Sequence, residues 1–308
     1  MTPSNLPSRG ARWGLVRARR ALIRISDPLV TYRIGKTSIR LPLSHDLPYF
    51  QRDFPFYSRN LGRIAALALR ARPDLAAVDV GANVGDSIAI IRTEAHIPVL
   101  AIEGNRRFFA LLEQNAAILG SDLYLRCAMV GTAPEQRRGG FQERGGSAHY
   151  VEGAAASSDV SFDTLSRLIE GTPELNGRKL LIKIDTDGLD CAILKAEQQL
   201  LARRAPIVFF EYDPNHFQRY GDDGFAVFAA LRRAGYVSLL VYENTGELHG
   251  ALDLDEETKL QELDALYSGR GGERYADICA FHRDDADVFE LVRASEEELF
   301  GSRSPVTR

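Results

Sequence analysis

An α/β fold built on a mostly parallel sheet, with helices on both faces, is what this sequence predicts. Two observations carry that expectation. From Leu75 onward, short apolar runs alternate with stretches of helical periodicity, the pattern that lays strands side by side with helices packed over them. One of those runs, Ala77-Val78-Asp79-Val80, passes through a glycine-spaced turn directly into a helical stretch, as the strands of such sheets do at a ligand crevice. At 308 residues, 45% hydrophobic and 26% charged, the chain has the balance of a soluble globular protein with a full core.

The elements follow in order. Arg9, Arg12, Arg17, Arg19, Arg20 and Arg24 lie among Trp13, Leu15, Val16, Leu22, Ile23 and Ile25, ahead of the first acid, Asp27. Residues 1–28 therefore read as a basic extension. They form either a solvated helix ahead of the domain or an amphipathic surface that touches an anionic membrane. Residues Leu29 to Leu43 alternate apolar and polar side chains around Gly35-Lys36, which predicts a β-hairpin. Leu61 to Ala71 carries one apolar face at helical spacing. Strands are then expected near Leu75–Val80, Val99–Ile102, Leu123–Cys127, Leu180–Ile184, Ile207–Glu211, Val237–Val241 and Asp277–Phe281. Helices fit near Ser87–Glu94, Arg106–Leu119, Cys191–Ala202, Gly224–Ala234 and Glu256–Leu266, with another at the C-terminus. The last strand follows a helix and is expected to run antiparallel. Gln136 to Ser158, rich in Gly, Ala and Ser, reads as a loop. Residues 29–308 thus form one domain, with the alternating core over about 61–284.

The chemistry concentrates at the strand ends. In the run Asp79-Val80-Gly81-Ala82-Asn83-Val84-Gly85-Asp86, Gly81 permits a tight turn, and Gly85 is expected to let the helix start approach a ligand. A dinucleotide site wants a further glycine where Asn83 stands. An amino-acid tail needs less anion-binding backbone, and Asp79 can meet its ammonium. The turn therefore favours S-adenosylmethionine over a dinucleotide. Glu103, ending the second strand about 20 residues further on, can accept hydrogen bonds from both ribose hydroxyls. The adenine is expected near Cys127, Ala128 and Met129.

On the reacting side, Asp185, Asp187 and Asp190 cluster after an apolar strand, and Glu211 ends the next one. Methyl transfer to a hydroxyl needs a group to take the departing proton. Asp185 is the first candidate base and Asp187 the second, while Asp190 reads as a cap of the following helix. Glu211 can bind acceptor hydroxyls or share a metal with Asp185, and His216 is a spare base. A divalent metal is compatible with these acids, but no further histidine or acid completes a site for one.

Taken together, VDVGANVGDS (78–87), AIEGN (101–105) with Phe108, Leu111 and Asn115, GGS (145–147), LIKIDTDGLD (181–190) and FFEYDP (209–214) resemble the FkbM family of S-adenosylmethionine-dependent methyltransferases, from Tyr32 to His282. The resemblance implies a Rossmann-like class I methyltransferase sheet. It implies O-methylation of a saccharide, glycan or glycosylated natural product. It places Asp79, Gly81, Asn83, Gly85 and Glu103 on the cofactor, and Asp185 and Asp187 toward the acceptor; Asp86 and Ala128 are further candidate cofactor contacts by their position in the chain. Where the family often carries Glu, this chain has the shorter Asp187 and Asp190, and Ser166 stands where an Asp is common.

Other classes fit less well. A net charge of −4 gives no overall attraction to nucleic acid. Cys127, Cys191 and Cys279 show neither disulfide nor zinc spacing, which suits a reducing, cytoplasmic setting. A dinucleotide-dependent sugar-modifying enzyme lacks its central glycine, and a non-catalytic relative would not need acids at every crevice position.

Overall fold

The computed structural model describes residues 17, 19–153, 158–268 and 274–301. Most of the basic extension, residues 1–16 and 18, lies outside the described residues. Arg19, within them, is tied to the domain: its guanidinium donates to the Leu43 and His45 carbonyls, pairs with Asp46 at 2.8 Å and covers the Tyr49 ring. No helix among the described residues is long and apolar enough to cross a membrane.

Strands β1 (Leu29–Ile34) and β2 (Thr37–Pro42) form the expected hairpin, followed by helices α1 (Leu47–Asp53) and α2 (Arg59–Ala71). Alternation then begins with β3 (Ala76–Val80), α3 (Asp86–Glu94), β4 (Val99–Glu103), α4 (Arg106–Leu119) and β5 (Leu123–Cys127). Four more strands, β6 (Met129–Val130), β7 (Glu135–Arg144), β8 (Ser147–Glu152) and β9 (Ser158–Asp163), precede α5 (Leu165–Glu170). The second half runs β10 (Leu180–Ile184), α6 (Asp190–Ala196), α7 (Gln198–Arg204), β11 (Ile207–Tyr212), α8 (Pro214–Arg219), α9 (Ala226–Arg233), β12 (Tyr236–Glu243), β13 (Leu248–Asp253), α10 (Glu257–Ser268), β14 (Ala276–His282) and α11 (Ala286–Gly301).

The main sheet has the order β13-β12-β14-β11-β10-β3-β4-β5. The strands from β11 through β5 are mutually parallel, and β14 is inserted antiparallel between β11 and β12. This is the mostly parallel α/β sheet the sequence predicts, with its last strand reversed. The strands are apolar on both sides because each side meets its own core. Val78, Ile182, Val208 and Phe210 pack under α5, α6, α7, α9 and α10. Ala77, Leu181, Ile207 and Phe209 pack under the hairpin, α2, α3, α4 and α11. Chain order reverses at β3, which has β10 on one side and β4 on the other. At such a switch point the connections diverge and leave a crevice beyond the carboxyl ends of the strands.

Two expectations change. The stretch read as a loop over 136–158 is largely sheet: β7 pairs with β8 and β9, and β6 with β9. Its glycines serve packing rather than a coil. A Cβ on Gly139 would fall 2.3 Å from the Tyr150 hydroxyl, so the bare backbone lets that ring lie across the strand, where it meets Phe141 and Phe162 edge-on. The helix expected over Cys191–Ala202 breaks at Glu197, which leaves helical geometry. Its carboxylate accepts from the Ser166 amide at 3.0 Å.

Candidate active site

The strand register puts the first pair of charges in place. Lys183 on β10 stands directly beside Asp79 on β3, so both side chains emerge on the same sheet face. The Lys183 ammonium lies 3.2 Å from Asp79 and 3.2 Å from Asp185. Burial opposes the lysine's charge, but Asp185, Asp79 and Asp86 outweigh it and raise its pKa above the ordinary value. Asp79 itself is fully buried and also accepts from the Ser87 hydroxyl.

Gly81 turns the chain off β3 with φ +77°, and a Cβ there would sit 1.8 Å from the Asp185 carbonyl oxygen. Only glycine lets the two loops come this close. Asn83 adopts a left-handed conformation (φ +49°) that aims its amide at Glu103 Oε2 at 2.8 Å. Its side-chain amide donates to the Gly146 carbonyl at 2.6 Å, which ties the turn to the tip of the β7–β8 hairpin. Glu103 Oε1 accepts from the Asn105 amide at 2.6 Å. Burial pushes the Glu103 carboxyl up to about 7, against the lowering pull of those two amides.

Gly81, Asn83, Ser87, Glu103, Gly146 and Lys183 line one cavity of roughly 1280 Å³ of empty space, mouth included, together with Asp86, Ala128, Met129, Asp185, Asp187, Glu211 and Asp277. Six of its wall side chains are carboxylates, against Lys183 and His45 as bases. Crowding and burial keep several of them protonated well above the usual range. Glu211 and Asp277 are cross-strand neighbours on β11 and β14. Burial, then the Asp185, Asp190, Asp187 and Asp277 charges, drive Glu211 well up. Asp277 is pushed to about 7 by burial and Asp185, and Asp187 is raised by the same two causes. Asp86, in the first turn of α3, is raised by burial while His45 and Lys183 oppose it.

A sequence profile of the Methyltransferase FkbM domain matches residues 79–238, more than half of the chain. The chain belongs to the FkbM methyltransferase family. No curated protein sequence matches it. Among solved structures, the methyltransferase FkbM from Methylobacillus flagellatus is 15% identical over 53% of this chain, with a TM-score of 0.35. This chain spans 38% of that protein's length. An O-methyltransferase from Bacillus cereus in complex with SAH is 10% identical over 91% of this chain and 94% of its own, with a TM-score of 0.38. A tRNA (uracil-54, C5)-methyltransferase from Pyrococcus abyssi, in complex with S-adenosyl-L-homocysteine, is 8% identical over 82% and 44%, with a TM-score of 0.38.

Within this FkbM methyltransferase, the predicted site residues divide. Gly81, Asn83, Asp86, Glu103, Ala128, Asp185, Asp187 and Glu211 meet at the one cavity. Asp79 does not line it. Its oxygens are engaged by Ser87 and Lys183, which ties it to the turn from beneath. Gly85 also serves packing: a Cβ there would fall 2.7 Å from Leu119 and 3.0 Å from Leu112, which makes it the contact between the turn and α4. Cys127 faces a neighbouring cleft, while Ala128 and Met129 line the main one. Asp190 accepts from the Thr186 hydroxyl at 2.8 Å and braces its own loop. His216 lines a second cleft, with His149, Arg137, Arg219 and Tyr220, and Asp187 borders both spaces. Lys183, His45 and Asp277 were not foreseen. Lys183 carried a signal, a lone base inside an apolar strand, but its partner depends on register. The side chain gathered against Glu211, expected to bind acceptor hydroxyls or to share a metal with Asp185, is His216, at 3.4 Å.

Proposed function

We propose that this FkbM methyltransferase uses S-adenosylmethionine to methylate a hydroxyl of a saccharide, glycan or glycosylated small molecule. The observation that carries the reading is the cavity's acid wall meeting the Gly81–Asn83 turn at Glu103. The cofactor's sulfonium and ammonium outweigh its single carboxylate, so those of the six wall acids that are ionised attract it, and its positive charge favours ionisation of the rest. The same wall repels a pyrophosphate, which argues against the dinucleotide alternative. Glu103, already fixed by two backbone amides, has lone pairs left for ribose hydroxyls. Ala128, Met129 and Phe108 offer an apolar seat for the adenine.

The acceptor reads from the other end of the cavity. A neutral hydroxyl attacks the methyl carbon in line with sulfur and must lose its proton as the bond forms. Asp185 and Asp187 stand where that proton can go. Asp185 is partly held by Lys183, whereas burial and the Asp185 charge raise the basicity of Asp187, so Asp187 is the stronger candidate base. Lys183 holds Asp185 in place and offsets the local negative charge. Polar groups from Asn244, Tyr57 and Tyr275 complete a wall suited to a polyol.

Labelled-methyl transfer to a panel of saccharides, alongside calorimetry with S-adenosylmethionine, tests the reading. Asp187→Asn is expected to keep cofactor binding while transfer falls by about 10²–10⁴, the contribution of a positioned base. Loss of cofactor binding in the parent protein, or tight NAD binding in its place, would overturn the reading.

A further inference from the structure

At the junction of β11 and α8, Glu211 and Asp213 lie two apart on an extended segment, and His216 follows in the next turn. The His216 Nδ1 atom is 3.4 Å from Glu211 Oε1 and 3.6 Å from Asp213 Oδ2. One potential ligand atom from each of the three lies within 4.8 Å of the others. A tetrahedral ion with bonds of about 2.1 Å places its ligand atoms about 3.4 Å apart, so the two edges that meet at His216 Nδ1 are already close to what such an ion requires.

The individual atoms point the same way. Asp213 is fully buried, and its two oxygens differ. Oδ1 accepts from the Asn215 and His216 amides, whereas Oδ2 faces the imidazole with no hydrogen-bond partner. His216 Nδ1 is likewise buried and without a hydrogen bond. A buried carboxylate oxygen left unsatisfied is costly, and a cation seated against it removes that cost. One imidazole with two carboxylates is a donor set for a divalent transition-metal ion: imidazole suits Zn²⁺, and carboxylates suit Mn²⁺.

We propose that Glu211, Asp213 and His216 bind a divalent transition-metal ion, Zn²⁺ or Mn²⁺. The ion stands in the wall between the two spaces, because Glu211 lines the cofactor cavity and His216 the second cleft. Three protein ligands leave coordination positions open. The site is independent of which cofactor or acceptor the enzyme uses.

The test uses the full chain, stripped with a chelator and free of cofactor, titrated calorimetrically with Zn²⁺ or Mn²⁺ alone. One ion per chain is expected. His216→Gln and Asp213→Asn should each weaken it at least about tenfold, a conservative figure for a lost ligand. Asn at 213 keeps the oxygen that accepts from the Asn215 and His216 amides, so metal-free thermal melts of that variant should match the parent. S-adenosylmethionine binding measured on the same variants reports separately on the proposed cofactor site. Absence of saturable binding for both ions, or unchanged affinity in both variants, overturns the metal site.

Discussion

Glu103 shows how a single side chain can be both legible and incomplete in the sequence. Its place at the end of an apolar strand is what suggests a ribose acceptor in the sequence, but the two backbone amides that fix it come from a left-handed Asn83 and from Asn105. With its carboxyl near 7, cofactor affinity should rise between pH 6 and 8 as the better acceptor form appears. Glu103→Gln should bind S-adenosylmethionine at least about tenfold more weakly, as expected for a charged hydrogen bond, and should flatten that pH dependence in calorimetry. Lys183 illustrates the opposite case. Asp185 lies two residues away in sequence, but nothing local names the buried partner, and only the β3–β10 register sets Lys183 beside Asp79. Lys183→Met would strand that buried carboxylate, at a cost of about 3–5 kcal/mol. Denaturant unfolding should show the loss, and adding Asp79→Asn should recover much of it.

Among the elements, those with strong local periodicity were readable: the parallel strands, the helices between them and the hairpin at the start. The sheet β6–β9 was not, because its glycines look like loop residues until the Tyr150 ring is seen lying over Gly139. The same ambiguity affected Gly85. A glycine opening a helix suggests a ligand, yet here it makes room for Leu112 and Leu119 of α4. Gly85→Ala should therefore act on stability, losing about 1–3 kcal/mol through strain and overpacking. Leu119→Ala should partly offset the loss in a double-mutant cycle. Cofactor affinity of the folded fraction should change little; a large loss would return Gly85 to the ligand site.

At the scale of the whole molecule, the buried acids make folding a proton-linked process. Glu103, Asp190 and Asp277 titrate near 7 in the folded chain and at ordinary carboxylate values once unfolded. Between those limits the native state holds more protons, so raising the pH disfavours it by up to about 1.4 kcal/mol per unit per proton. Cofactor-free protein should melt at a higher temperature at pH 5.5 than at pH 7.5. Asp277→Asn should reduce that slope in calorimetric scans. On the proposed chemistry, the acid wall would also set the rhythm of turnover. In the proposed reaction, donating the methyl group would turn the sulfonium into a neutral thioether, and the departing proton would land on the wall itself. Both changes weaken the electrostatic grip on the spent cofactor at the moment it has to leave. An enzyme built this way should be only mildly inhibited by its own thioether product, and added salt should narrow the gap in affinity between the charged and spent forms.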